Sequence, residues 1–502
     1  MAREGGHMSF YHQAMDEVFA LVRCGGDNPY ETVLLNASGV DTAWMGGYGL
    51  PVLPEERRLS EYLFACDGEK LALMGKKIAD AFLHGFVSQS RERAGRTLVR
   101  FSYQLGQEAI AREVCFALVR EGLVPSVQRP GCLTRKEPEA PVSDEAELRE
   151  RLSAYKAAFQ KHDAQLCNTC GMIGMIQFGE VPPLPSATAD TPQQNAFAVE
   201  LNGYRRKLES ERIPPSTISF CKVAFPNVLV GERFEEVFRD VLRMNLTESE
   251  PYERMQQTVI DALDDCEAIR VVGRGRNRTD LTIRLQPLSN PEKQSNFLNC
   301  GGDLNIPYGE VFTTPVLQGT SGLLHVQEVY LSGVPYRELE LEFHDGYLAR
   351  VDSGDGADYV KRHLLYPHET LTAGEFAIGT NTSAYAIARR YGLLPRIPIL
   401  WLEKMGPHLA IGDPCFARGE DAGVFNLYDG KEMTARENER TAERDSGKEI
   451  YYNKHIDITI PYQDIGSLYG VAHDGEECMI VRNGRFVLPG AEGLNEGLEE
   501  LI

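Results

Sequence analysis

His455-Ile456-Asp457-Ile458-Thr459-Ile460 is the stretch that leaves this chain the fewest choices. Successive side chains of a β-strand point to opposite faces. Alternation therefore puts Ile456, Ile458 and Ile460 on one face and His455, Asp457 and Thr459 on the other. The isoleucine face calls for burial, so the segment belongs in a sheet laid against an apolar core. The opposite face presents an imidazole and a carboxylate two residues apart, a spacing that serves one metal ion or two neighbouring ones.

Three upstream segments pose the same question. Glu310 is the only charged residue between Leu304 and Leu317, in the run Asn305 to Pro315. A carboxylate among β-branched and aromatic residues rarely goes inside without a cation to face. Strand alternation likewise sends Glu375 opposite Phe376 and Ile378, and His408 opposite Leu409 and Ile411, with glycines close by. Each polar group is presented from a rigid apolar strand, as a preorganised site requires. The candidate set is Glu310, Glu375, His408, His455 and Asp457. Three carboxylates and two imidazoles suit zinc, manganese or cobalt, and nothing in the set favours a thiolate-loving metal. Five protein ligands exceed the three of an open mononuclear zinc site. They fit two ions about 3.5–4 Å apart, bridged by a carboxylate, which is hydrolase chemistry. Any one of the five, taken alone, reads more readily as a hydrogen-bonded structural residue. His325, His344, His363, His368 and His473 are read that way.

With 502 residues, the chain is too long for one core, and two main domains are expected. Residues 1–90 are an extension of unclear role, 91–285 an α/β domain and 286–502 the metal-binding catalytic domain, α+β and rich in antiparallel strands. In the first part, Phe10 to Val22 and Leu71 to Gln89 read as helices, and the turn-rich Gly46 to Pro51 as a loop. Thr97 to Phe101, Glu108 to Glu121 and Leu123 to Val127 read as strand, helix and strand, with Gly122 capping the helix, which suggests a parallel unit. Phe234 to Met244 and Met255 to Leu263 are amphipathic helices, and Ala268 to Val272 is a strand. Asp345-Gly346 and Asn483-Gly484, each between apolar runs, are hairpin turns. Thr434 to Lys448 is dense in charge and reads as an exposed insertion.

Charge and cysteines narrow the function. A formal charge of −21 argues against a nucleic-acid binder and against adhesion to anionic lipid. No apolar run is long enough to cross a bilayer, and Met1 to Phe19 lacks the pattern of a signal peptide. Eleven dispersed cysteines point to a reducing cytoplasm rather than a disulfide framework. Cys167-Asn168-Thr169-Cys170 has no second pair to complete a zinc site. The loop Gly273 to Arg278 is basic, but no helix start follows it, so it reads as a solvated turn.

The series Thr279 to Thr282, Asn305 to Pro315, Gly374 to Asn381, Glu403 to Gly412, His455 to Asp457 and Phe486 to Gly490 resembles, in order, the signatures of the aminopeptidase T and aminopeptidase S type of metallopeptidase. The resemblance is good from about residue 268 to 502 and weaker from 97 to 267. It implies a two-metal exopeptidase that removes N-terminal residues from peptides or small aminoacyl substrates. It also implies a homodimer and metals carried by the C-terminal domain. Its ligand positions fall on Glu310, Glu375, His408, His455 and Asp457. This sequence departs from the pattern twice. Seven residues after His408, where the family places a tyrosine, stands Cys415, leaving Tyr428, Tyr451 or Tyr452 as substitutes for the phenol. The interval from His408 to His455 (455 − 408 = 47) is also longer than is typical. A ring-cleaving dioxygenase similar to this family uses one iron, for which His408, His455 and Asp457 would be the triad. A non-catalytic relative is the third reading.

Overall fold

The computed structural model describes residues 28–39, 41–133, 141–181, 192–301, 304–331, 333–416, 423–446 and 450–499. The expected helix Phe10 to Val22 lies outside them. The described residues form two compact units, one within Met1–Val87, Arg91–Gln177 and Ser186–Glu235, the other within Ser88–Ser90, Phe178–Pro185 and Glu236–Ile502.

In the first unit, strand Leu98–Ser102 leads into helix Glu108–Arg120 and strand Val124–Val127. The two strands pair in parallel, Leu98 opposite Val124 and Phe101 opposite Val127. Leu98–Ser102 also pairs in parallel with Thr169–Phe178. The helix buries Ile110, Val114, Ala117 and Leu118, the face its periodicity marks out. Gly122, at φ +70°, ends it, and the Leu123 N–H turns back to the Leu118 carbonyl. Helices Pro54–Ala65 and Gly68–Ser88 fall within residues 1–90. The expected loop at Gly46 to Pro51 is instead partly helical, because the 3-10 turn Ala43–Tyr48 buries Met45 and Tyr48.

The second unit is rich in antiparallel strands. An eight-stranded sheet runs, edge to edge, through Tyr347–Asp352, Val334–His344, Val316–Leu331, Asp280–Arg284, Cys266–Gly273, Ile465–Ala472, Glu477–Arg482 and Arg485–Phe486. Both hairpins occur where Asp-Gly and Asn-Gly mark them. Asp345 and Gly346 take φ +44° and +75°, and Asn483 and Gly484 take φ +49° and +75°, the left-handed pair of a type I′ turn.

A second sheet has the order His455–Thr459, Pro407–Gly412, Ala373–Gly379, Glu310–Thr313, Leu298–Cys300, each neighbour antiparallel. Its three central strands are buried along their whole length. Among the described residues, no helix is long and apolar enough to cross a membrane.

The segment from Thr434 is only in part the exposed insertion its charge density suggests: Glu439, Ala442 and Glu443 are exposed. Ala435, Asn438 and Thr441 are buried. The Glu439 carboxylate accepts the N–H groups of Leu317 and Gln318, and Ala435 accepts that of Thr314. Glu439 is exposed and still ties its carboxylate to neighbouring backbone, a use of charge that composition does not reveal.

Candidate metal centre

Register decides where the five candidate side chains meet. Residues directly opposite in antiparallel strands share a face. Ala410 stands opposite both Glu375 and Asp457, and His408 lies two residues away on the same strand. Gly412 stands opposite His455, and Gly379 opposite Glu310. Glu375 and Gly379 are four apart, so they too share that face. All five groups therefore rise from one face, separated by Ala377, Gly379, Ala410 and Gly412, whose small size leaves room above the sheet.

The side chains converge accordingly. His408 Nε2 lies 3.1 Å from Glu310 Oε1, 3.4 Å from Glu375 Oε1 and 3.9 Å from Asp457 Oδ1. His455 Nε2 lies 3.2 Å from Asp457 Oδ1 and 3.8 Å from Glu375 Oε2. Four of the five are buried, and His455 is partly open to solvent. His455 Nδ1 donates to the Asp413 carbonyl at 2.7 Å, and His408 Nδ1 lies 3.3 Å from the Gly406 carbonyl. A carbonyl can only accept, so each Nδ1 carries the proton and each Nε2 is turned toward the carboxylates.

That arrangement asks for a cation. His408 Nε2, Glu375 Oε2 and Asp457 Oδ1 are buried with no partner aligned for a hydrogen bond. Unpartnered buried groups of this kind are costly. Without a metal, the charges answer one another through protons. Burial opposes a charged imidazole, but the Glu310 and Glu375 carboxylates push His408 well above its usual range. His455 is raised to about 10, burial being outweighed by Asp457. Asp457 falls to about 2, since His455 more than offsets its burial. The donor set and its orphaned acceptors fit a divalent ion.

Two groups of three donors can be drawn, each with its ligand atoms within 4.8 Å of one another: Glu310, Glu375 and His408, and Glu375, Cys415 and His455.

Lys404 is a participant that sequence reasoning missed. It is 3% exposed, contacts the Glu310 carboxylate and lies 3.0 Å from Glu403. Burial alone would raise the Glu310 carboxyl, yet Lys404 and His408 hold it below the usual carboxylate range. Glu403, by contrast, is pushed up to about 7 by burial. Gly379 admits this pair, because a Cβ there would sit 2.4 Å from the Glu403 carbonyl oxygen. A fully buried lysine is rare enough that no local pattern announces one. Two of the substitute tyrosines have other surroundings. Tyr428 is exposed, and Tyr452 lies against Arg440 and His368.

Asp413 fixes the approach to His455. Its two carboxylate oxygens accept the N–H groups of Tyr452 and Asn453, each at 2.8 Å. We expect Asp413→Ala to loosen the turn that delivers His455. The backbone carbonyl that accepts from His455 stays, so metal affinity should weaken toward the lower end of the about 10–100-fold cost of losing a ligand's supporting contact. Zinc titration against a competing chelator measures this, and unchanged affinity would remove Asp413 from that role.

A cavity of about 670 Å³, lined in part by Gln286, Val316, Phe416, Arg436 and Glu439, contains none of the five candidates. Phe416 joins the two places, since it follows Cys415 in the chain.

The comparisons with known proteins agree with this chemistry. The family described as thermophilic metalloprotease (M29) matches residues 205–486. No curated protein matches the chain. Among solved structures, wild-type AmpT from Thermus thermophilus is similar in fold, with a TM-score of 0.51 and 17% sequence identity over 84% of this chain and 99% of that one.

Proposed function

The chain belongs to the thermophilic metalloprotease (M29) family, and on that premise we propose that it is an aminopeptidase using two divalent ions held within the second unit. The observation that carries this reading is the overlap of the two donor groups, which share Glu375. Glu375, common to both groups, would contribute to holding either ion. Glu310 and His408 would hold one ion and His455 the other. Asp457 lies within 3.9 Å of His408 and 3.2 Å of His455, in reach of either. Zinc is the first choice, and cobalt or manganese suit the same donors. When bound, such ions supply Lewis acidity at a peptide carbonyl and an activated water.

The chain's own residues do the positioning. Lys404 neutralises and orients Glu310. The cavity beside Phe416 offers space for the rest of a peptide. Unbridged cysteines among the described residues support a reducing cytoplasm, and the family resemblance supports a homodimer.

The single-iron dioxygenase gains no support from the comparisons. It would also leave Glu310 and Glu375 crowding the same imidazole without a role of their own. A non-catalytic role leaves the orphaned acceptors unexplained.

Elemental analysis of protein purified without chelators tests the proposal. About two zinc, cobalt or manganese atoms per chain, with release of N-terminal residues from peptides, is the expected result. One iron per chain would favour the dioxygenase. No metal, even after reconstitution, would defeat both.

A further inference from the structure

Cys415 stands where the resemblance places a tyrosine, and its surroundings are those of a metal ligand. Its Sγ, a Glu375 carboxylate oxygen and a His455 ring nitrogen all lie within 4.8 Å of one another. Two further features point at the same spot. Glu375 Oε2 is buried and has no hydrogen-bond partner. The His455 Nδ1 proton is committed to the Asp413 carbonyl, which leaves Nε2 free to bind an ion.

The backbone around Cys415 is held on both sides. Asp413 is bound through its N–H to the Lys454 carbonyl and through its carboxylate to Tyr452 and Asn453. Phe416 stacks on Phe312, two residues beyond Glu310, with ring centres 5.9 Å apart and planes 22° from parallel. Gly412, at φ +115°, lets the strand turn into this loop, and a Cβ there would sit 2.2 Å from the Lys454 carbonyl oxygen. The thiol is thus carried to Glu375 and His455 by anchored neighbours.

We propose that Cys415 is a further protein ligand of this chain, completing with Glu375 and His455 a sulfur, oxygen and nitrogen donor set for one divalent ion. This deepens the two-metal reading above and rests on it. On binding, the sulfur–metal bond forms as the thiol proton leaves to solvent, with no change of oxidation state. A thiolate donor favours zinc or cobalt over manganese at that position. It also takes up a coordination position that a phenol, as an oxyanion donor, would leave open. The site therefore discriminates among metals more strongly than an all-oxygen-and-nitrogen set would.

Cobalt substitution reads this directly. The full chain, stripped with chelator and reloaded with Co²⁺, should develop an intense thiolate-to-cobalt charge-transfer band in the near ultraviolet. Cys415→Ser should lose that band and still bind cobalt through the remaining ligands. A parallel measurement on the unmutated chain avoids reliance on the variant's folding: Cys415 and Cys167 are both exposed, and zinc should protect Cys415 alone from alkylation, read by peptide mass spectrometry. Cobalt bound without the band, a band that survives in Cys415→Ser, or alkylation of Cys415 unaffected by zinc would each overturn the assignment and leave the two-metal reading standing. A chain that takes up no cobalt at all would overturn both.

Discussion

His408→Ala is expected to empty the ion position it shares with Glu310 and lower kcat/KM for N-terminal residue release by at least about 10²–10³-fold, the scale of removing one preorganised electrostatic contact. The reason is geometric. His408 Nε2 lies within 4 Å of all three carboxylates, at 3.1, 3.4 and 3.9 Å from Glu310, Glu375 and Asp457. Removing it deletes a nitrogen donor and leaves those acids facing one another across a small cavity. The unmutated protein should also be stabilised by zinc, by about 2.7 kcal/mol at a free concentration a hundred times Kd, and the variant by much less. Metal content, the zinc-dependent shift in Tm and turnover can be read on the same preparations. Full turnover by a metal-free His408→Ala protein would end the mechanism proposed here.

Lys404→Met should be the most damaging change to the metal-free protein, costing about 3–5 kcal/mol of stability, as removal of one partner from a buried ion pair does. Lys404 is the counter-charge to both Glu310 and Glu403, and at 3% exposure no solvent can replace it. Methionine keeps the volume of the chain stem, so the loss reports on charge more than on packing. Divalent metal should restore part of the stability, because an ion beside Glu310 supplies positive charge again. Urea unfolding of the second unit, with chelator and with zinc, tests both statements. A cost below about 1 kcal/mol without metal would place the pair among those of little worth.

Local sequence carries much of this molecule. Ile456 and Ile458 alternate with His455 and Asp457 in a real strand, since side-chain alternation is a property of the strand itself. Asp345-Gly346 and Asn483-Gly484 make their hairpins because those residues tolerate positive φ. The helix at Glu108–Arg120 follows from its own apolar face and the glycine after it. Resemblance added the peptide substrate, because its motifs fall on the same residues that the strand pattern had already singled out as metal donors.

Other features were illegible for physical reasons. Charge density at Thr434 onward reads as solvation, yet Glu439 bonds to the backbone of a strand more than a hundred residues earlier. Lys404 meets Glu310 across 94 positions of sequence, and a lysine that packs inside looks the same on paper as one in water. Cys415 reads from sequence as a lost tyrosine; only its nearness to Glu375 and His455 gives it a task.

Sequence by itself determined the strand at His455–Thr459, the polar face it presents, and which five residues would be worth bringing together; long strands such as Thr169–Phe178 and Val316–Leu331 carried no pattern that marked them. The tertiary structure alone decided the register that sets Ala410 between Glu375 and Asp457, the lysine that balances Glu310, and the thiol beside His455. Alternation and turn chemistry act between neighbours in the chain and survive in the sequence as pattern. Register and buried charge depend on which distant strands pair, and that choice is made by the whole core at once.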